Sequence, residues 1–186
     1  PYRLFPKVVV VAHDAKDVCN VLAFAREQHE SVTFRAAGTS LSGQSQGDGI
    51  LVDVRRHWSG VAVESGGRRL RARPGTILSR GNIALAPYGY RIGPDPASAS
   101  ACTIGGVIAN NSSGMCCGTT QNSYKTLSSL TFMLPSGTTI DTTRRRPAAV
   151  SSRRRTRTCG PHCSATRPLP ADGILVPIVG AAKVRP

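Results

Sequence analysis

The chain of 186 residues is long enough for one domain, since domains usually run to roughly 100–200 residues. Hydrophobic residues make up 40% and charged residues 18%, which is typical of a globular protein, and no apolar run reaches the roughly 18 residues of a membrane-spanning helix. The net charge of +14 would favour a nucleic-acid binder, but residues 1–143 carry only +5 and residues 144–186 carry +9. The first residues lack the apolar stretch and cleavage site of a signal peptide.

The first elements form a strand–helix–strand unit. Four consecutive valines at residues 8–11 predict a buried strand. Asp14 is placed to cap the helix that follows, because apolar residues then recur with helical spacing. Further strands are predicted at residues 31–36 and 49–54. Between them lie residues 37–48, which we call the first loop because they are too rich in glycine for regular structure.

The next elements alternate between strands and a helix. Residues 61–65 and 68–75 predict a hairpin that turns at two glycines, and residues 76–85 predict a helix. Residues 127–142 predict two more strands that turn at Ser136-Gly137. The mixture predicts an α+β fold with two small sheets.

The first loop contains the first candidate site. Its run Gly38-Thr39-Ser40-Leu41-Ser42-Gly43-Gln44-Ser45 is close to the phosphate-binding pattern GxxxxGK[ST], but Gln44 occupies the place of the lysine and a strand, not a helix, follows. A nucleoside triphosphatase is therefore not expected. Two glycines and three small hydroxyls can still form a nest of N–H groups for an anion, with Arg35 as a charge partner. The alternative is an ordinary Gly/Ser turn.

Residues 93–114, which we call the second segment, contain the other candidate site. Pro94 and Pro96 stiffen its start, and Thr103 precedes a short predicted helix. The unpaired N–H groups at the start of that helix would favour a phosphate. Small residues and amides in the rest of the segment are typical of a ligand-binding loop.

The two motifs together, RAAGTSLSGQ and then DPAS…TIGG…ANNSSG, resemble the FAD-binding domain of the vanillyl-alcohol oxidase (PCMH-type) superfamily over residues 8–142. Within that superfamily the sequence is most similar to bacterial D-lactate dehydrogenase and glycolate oxidase subunit-like flavoproteins. The resemblance implies an α+β fold of two small subdomains that hold FAD between them, in residues 1–142.

The resemblance also implies site residues. In the first loop and the strand before it, the residues expected to surround the diphosphate are Arg35, Ala37, Gly38, Thr39, Ser40, Leu41, Gly43 and Gln44. In the second segment, those expected along the flavin are Pro94, Asp95, Thr103, Gly105, Gly106, Asn110 and Gly114. Some relatives attach the flavin to a histidine of the first loop. Thr39 stands at that position here, so non-covalent FAD is expected.

The implied chemistry is hydride transfer from a 2-hydroxy acid, D-lactate or glycolate, to flavin N5. Full-length relatives continue into a substrate domain, and nothing after Thr142 resembles one, so the catalytic residues stay unassigned and the chain by itself is expected to lack activity. The electron acceptor is unknown, and the resemblance leaves room for peripheral association with a membrane. Six cysteines without a spaced framework favour free thiols and a cytoplasmic protein.

Residues 143–186 have a different composition, rich in arginine and proline and free of aromatic residues. This composition predicts disorder, and it also resembles GC-rich DNA translated in the wrong frame. An arginine tail alternatively favours a module that binds nucleic acid or an acidic surface, but aromatic residues are only 5% of the chain, and nucleic acid is not the expected partner. An inactive fragment that binds nothing is the third alternative. The CGPHC at residues 159–163 offers too few ligands for a closed zinc site, so no metal is expected. His13, His29 and His57 are expected in surface or structural roles rather than in catalysis.

Overall fold

A three-stranded parallel sheet forms the first layer of the fold. The computed structural model describes residues 3–143 and 174–177. The sheet consists of β1 (Val8–Val11), β2 (Val32–Arg35) and β3 (Ile50–Asp53) in the order β1-β3-β2. β3 is central, and its first three residues are buried. β1 lies at the edge of the sheet with Val8 and Val9 exposed, so the prediction of a buried strand at residues 8–11 is wrong for its first half, because an edge strand is covered on one side only.

Helix α1 (Ala15–Glu27) crosses from β1 to β2 and covers one face of this sheet. The Asp14 carboxylate accepts hydrogen bonds from the N–H groups of Lys16 and Asp17 at 2.8 and 3.0 Å, which confirms the predicted cap. The buried side of the helix packs against Ile50 and Val52 of β3. The predicted strand–helix–strand unit is confirmed.

The second layer contains the larger core. Strands β4 (Val61–Glu64) and β5 (Arg69–Ala72) pair antiparallel, and α2 (Leu78–Leu85) packs against them. Three leucines, one from β5 and two from α2, are fully buried: Leu70, Leu78 and Leu85. The predicted hairpin and helix are confirmed.

Two short helices and two strands lie in residues 104–143. They are α3 (Ile104–Ala109), α4 (Ser123–Thr126), and the antiparallel strands β6 (Thr131–Met133) and β7 (Thr139–Asp141). Gly137, with φ 81°, lies in the predicted turn between β6 and β7. Met133 of β6 packs against the core of the first layer, so the end of the described domain returns to its beginning.

A last strand, β8 (Ile174–Pro177), pairs antiparallel with β5 and completes a sheet of order β4-β5-β8. The sequence does not predict this strand: for these four residues the expectation of disorder is replaced by an edge strand, a position in which proline is tolerated. The rest of the arginine-rich tail, with its CGPHC motif, lies outside the described residues.

Cysteine chemistry differs in one place from the prediction. Cys102, Cys116 and Cys117 are free thiols, whereas Cys19 is disulfide-bonded. The prediction of free thiols is therefore wrong for Cys19, because spacing along the chain does not reveal which cysteines meet in space. In the described part of the chain, every helix is too short or too polar to cross a membrane.

Candidate functional site

The first loop starts where the parallel sheet ends. It leaves β2 after Arg35 and returns as β3, and Val54 N donates to the Arg35 carbonyl oxygen at 3.0 Å, so the carboxyl ends of the two strands lie side by side. Ligands of parallel α/β sheets bind at this edge. A strand and not a helix follows the loop, as the sequence predicts.

The backbone of the first loop is open to a ligand. Gly38 and Gly43 have φ of 69° and 76°, the left-handed region that glycine enters without strain. Within residues 3–143 and 174–177, the main-chain N–H groups of residues 38–42 donate to no protein acceptor. Leu41 is 99% exposed. In the described part of the chain, five consecutive N–H groups are thus without a protein acceptor, and such groups are the donors that a nest offers to an anion.

Two hydrogen bonds within the first loop support its shape, one between side chains and one between main-chain atoms. Ser40 Oγ donates to Gln44 Oε1, and Gln46 N donates to the Gly43 carbonyl oxygen at 3.0 Å. The Arg35 guanidinium lies over the loop, because a Cβ added to Gly38 would stand 3.0 Å from Nη2 of Arg35. The cation and the N–H groups therefore lie close together, a combination that suits a diphosphate.

The start of α3 differs from the prediction. Ile104 N donates to the Thr76 carbonyl oxygen at 2.8 Å, and Gly105 N donates to the Pro74 carbonyl oxygen at 2.9 Å. Gly106 N donates to Thr103 Oγ1 at 3.3 Å. The expectation of unpaired N–H groups at this helix end is therefore wrong, since the chain before α2 and the capping threonine take them up.

Gly105 has a packing role instead. A Cβ added there would lie 2.6 Å from Pro74 Cβ and 2.9 Å from the Pro74 carbonyl oxygen. The absence of a side chain lets α3 approach residues 74–76 closely. At Gly106 the nearest atom is Thr103 Oγ1 at 3.3 Å, so that glycine leaves more space.

A chain of contacts connects the two candidate segments. Val54 follows β3 and is hydrogen-bonded to Arg35 at the end of β2. Its carbonyl oxygen lies close to Gly75, at 2.8 Å from the position of an added Cβ. Pro74, the residue before Gly75, accepts a hydrogen bond at its carbonyl oxygen from Gly105 N at the start of α3. Trp58 adds a second link, because its Nε1 donates to the Ala12 carbonyl oxygen at 2.9 Å and its carbonyl oxygen accepts from Gly75 N at 2.8 Å. The sheet edge that carries the first loop is thus joined to the start of α3.

The chain after α3 is held by Asp95. The Asp95 carboxylate accepts hydrogen bonds from Cys116 N at 3.1 Å and Cys117 N at 3.2 Å. Burial raises the pKa of Asp95, but hydrogen bonds from Cys116 and Cys117 and the charge of Arg91 outweigh it and lower this pKa below its usual value. Gly114 lies against the same carboxylate, since an added Cβ would overlap Asp95.

Three other predicted residues of the second segment lie next to Asp95 or at the ends of α3. Pro94 is buried, Thr103 is the N-cap of α3 and Asn110 is its exposed C-cap. Asn111 has φ of 48° and accepts a hydrogen bond from Tyr124 N at 3.0 Å. The Ser112 carbonyl oxygen accepts two bonds from Ser123, a support for the loop that the sequence analysis missed.

Two histidines show contacts that the sequence analysis did not foresee. His13 and His57 stack with ring centroids 4.1 Å apart, and His13 Nδ1 lies 3.4 Å from Asp17 Oδ2. Both histidines are exposed, and they follow the carboxyl ends of β1 and β3. In the described part of the chain, no three His, Cys, Asp or Glu residues are grouped to hold a metal ion.

The comparison with protein families bears directly on this site. Residues 6–143 match the profile of a family described as "FAD binding domain". The match covers the first loop, the second segment and every described element except β8. The residues present fit an FAD diphosphate, since the first loop has free N–H groups and Arg35 beside them.

Curated relatives share this region. D-2-hydroxyglutarate dehydrogenase of Pseudomonas putida is 34% identical over 117 residues, which are 61% of this chain and 12% of that protein. The glycolate oxidase subunit GlcD of Escherichia coli is 35% identical over 118 residues, 62% of this chain and 24% of that protein. The chain therefore spans about an eighth to a quarter of the length of these relatives.

Solved structures share the fold. The 6-hydroxy-D-nicotine oxidase of Arthrobacter nicotinovorans superposes with a TM-score of 0.66 at 18% identity, over 75% of this chain and 30% of that one. The α+β, PCMH-type fold predicted from the sequence is confirmed.

Proposed function

The chain belongs to the FAD-binding domain family, and from that premise we propose that it binds FAD non-covalently as the cofactor domain of a flavin-dependent 2-hydroxy-acid oxidoreductase. The observation that carries the proposal is the first loop, whose five N–H groups at residues 38–42 are free beside Arg35. Free donors and a cation at the carboxyl edge of a parallel sheet are the chemistry that a diphosphate requires.

The proposal gives the two segments different tasks. The first loop would hold the diphosphate through main-chain N–H groups, with the Arg35 guanidinium as the counter-charge. The second segment would line the flavin through its backbone and small side chains, since its own N–H groups at the start of α3 are already bonded. When bound, the flavin supplies a hydride acceptor.

Non-covalent binding rests on Thr39. This side chain is exposed in the first loop and has a hydroxyl where a histidine nitrogen would be needed for a covalent bond. Acid precipitation of the flavin-loaded protein is expected to release all flavin into the supernatant. Yellow colour that remains in the pellet would contradict this part of the proposal.

The substrate class is proposed from the relatives' names. D-2-hydroxyglutarate and glycolate are both 2-hydroxy acids, and the proposal for the whole protein is a substrate of this class. A cytoplasmic location stays a prediction.

The experiment is reconstitution of the purified full chain with FAD. Gel filtration followed by an absorbance spectrum is expected to show bound flavin near one per chain, and release of the flavin in guanidinium is expected to yield FAD. A folded chain that passes the column colourless would refute the proposal. If that colourless chain instead retards DNA at moderate salt, the tail-driven binding module is favoured.

A further inference from the structure

Asp95 was predicted to lie along the flavin, but its carboxylate is occupied by the protein itself. Oδ2 accepts from Cys116 N at 3.1 Å, and Oδ1 accepts from the same N–H at 3.3 Å and from Cys117 N at 3.2 Å. Both oxygens therefore point to the chain after the second segment. A carboxylate that accepts several N–H bonds is held strongly in its charged form.

The contact is made close by a glycine. A Cβ added to Gly114 would overlap the carboxylate and carbonyl oxygens of Asp95. Any other residue at this position would therefore push the segment around Gly114 away from the segment around Asp95. Pro94 and Pro96 on either side restrict the backbone that carries Asp95. The carboxylate is thus a fixed point to which the following turn attaches.

The opposite end of the same loop is attached to α4. Asn111 Oδ1 accepts from Tyr124 N at 3.0 Å, and the Ser112 carbonyl oxygen accepts from Ser123 Oγ at 2.6 Å. Residues 111–117 are consequently tied at both ends, but the Asp95 end is the one that depends on a charge. Met115, in the middle, is fully exposed and adds no packing to hold the loop.

We infer that Asp95 is a positioning residue: its carboxylate holds the turn at residues 114–117 in the conformation that the flavin requires, and it does so without touching the flavin. This inference rests on the proposed function, since it concerns the same cofactor site. It assigns to Asp95 an indirect role that differs from the direct contact expected from the sequence.

The test compares three full-length proteins: wild type, Asp95→Asn and Asp141→Asn. The control is matched, because the Asp141 carboxylate also accepts a main-chain N–H, from Thr143 at 2.8 Å, but lies at the end of β7 outside both candidate segments. FAD dissociation constants are measured by flavin fluorescence at pH 7. Hydrogen exchange followed by mass spectrometry reports on the amides of residues 114–117.

Asp95→Asn is expected to weaken FAD binding about tenfold, the loss that follows when charge-assisted hydrogen bonds become neutral ones. The amides of Cys116 and Cys117 are expected to exchange faster in the apoprotein of this variant, and saturating FAD is expected to restore their protection. Asp141→Asn is expected to change neither quantity. A role in stability alone would not make the exchange of two amides depend on FAD.

Three results would overturn the inference. Unchanged FAD affinity in Asp95→Asn would do so while the proposed function stands. Unchanged exchange at Cys116 and Cys117 would do so as well. A folded wild-type chain that binds no FAD would overturn both proposals. If Asp95→Asn does not fold, Gly114→Ala separates the same groups from the other side and is expected to give the same loss of affinity.

Discussion

The substitution Gly38→Ala tests the first loop directly. Gly38 has φ of 69°, and a non-glycine residue pays about 1–2 kcal/mol to adopt this left-handed conformation. The added Cβ would stand 3.0 Å from Nη2 of Arg35, but that is the end of a flexible side chain and can move. The backbone term therefore determines the cost.

If the apoprotein of Gly38→Ala relaxes out of this conformation, FAD binding must restore it. The same 1–2 kcal/mol is then lost from binding, which corresponds to a dissociation constant raised roughly 5- to 30-fold. The assay is titration of the apoprotein with FAD, followed by flavin fluorescence. Gly38→Asn is expected to bind better than Gly38→Ala, because asparagine enters the left-handed region more readily.

Gly66→Ala is the matched control. Gly66 has φ of 63° and nothing lies within 4 Å of an added Cβ, so the backbone cost is the same, but the residue is in the turn between β4 and β5. This variant is expected to lose unfolding free energy and to keep its FAD affinity. Equal affinity in wild type and Gly38→Ala, or an equal loss in Gly66→Ala, would refute the assignment of the first loop to the diphosphate.

Three predictions concern stability. Gly105→Ala is expected to lower the free energy of unfolding by about 1–3 kcal/mol in urea denaturation, because the new methyl group overlaps Pro74. Gly106→Ala is expected to change this free energy less, and equal effects of the two substitutions would contradict the close packing of α3. Leu70→Ala removes a fully buried side chain and is expected to lower the free energy of unfolding by about 2–5 kcal/mol. A loss below about 1 kcal/mol would contradict the place of Leu70 in the core. The pKa of Asp95 is lowered in the folded chain, so the contribution of its carboxylate to stability is complete above the usual aspartate pKa of about 4 and disappears as the pH falls through the lower folded value. The difference in unfolding free energy between wild type and Asp95→Asn is therefore expected to be constant from pH 5 to 7 and to shrink below pH 4. A difference that grows on acidification would refute the lowered pKa.

The elements with local signals were predictable from the sequence. Asp14 caps α1 as its position before the apolar periodicity indicates, and the valine run at residues 8–11 forms a strand. The first loop lies between β2 and β3, where its run of glycines and small hydroxyls predicts irregular chain. Each of these features depends on residues that are neighbours along the chain.

The features that were missed depend on residues far apart in the chain. The N–H groups of Ile104 and Gly105 at the start of α3 donate to carbonyl oxygens of residues 76 and 74, about thirty positions earlier. Asp95 bonds Cys116, 21 positions later. The strand β8 lies opposite β5, about one hundred positions away. Spacing along a sequence carries no information on such contacts. The predicted helix start therefore left these N–H groups to a ligand, and the family resemblance placed this carboxylate along the flavin.

The central claim is that the first loop and the second segment bind one FAD, and an NMR titration of the isotope-labelled full chain tests it most directly. Addition of FAD is expected to shift the amide resonances of residues 38–42 and those of residues 110–117 together, with one saturation curve. Shifts in only one of these groups, or two curves with different midpoints, would contradict the claim.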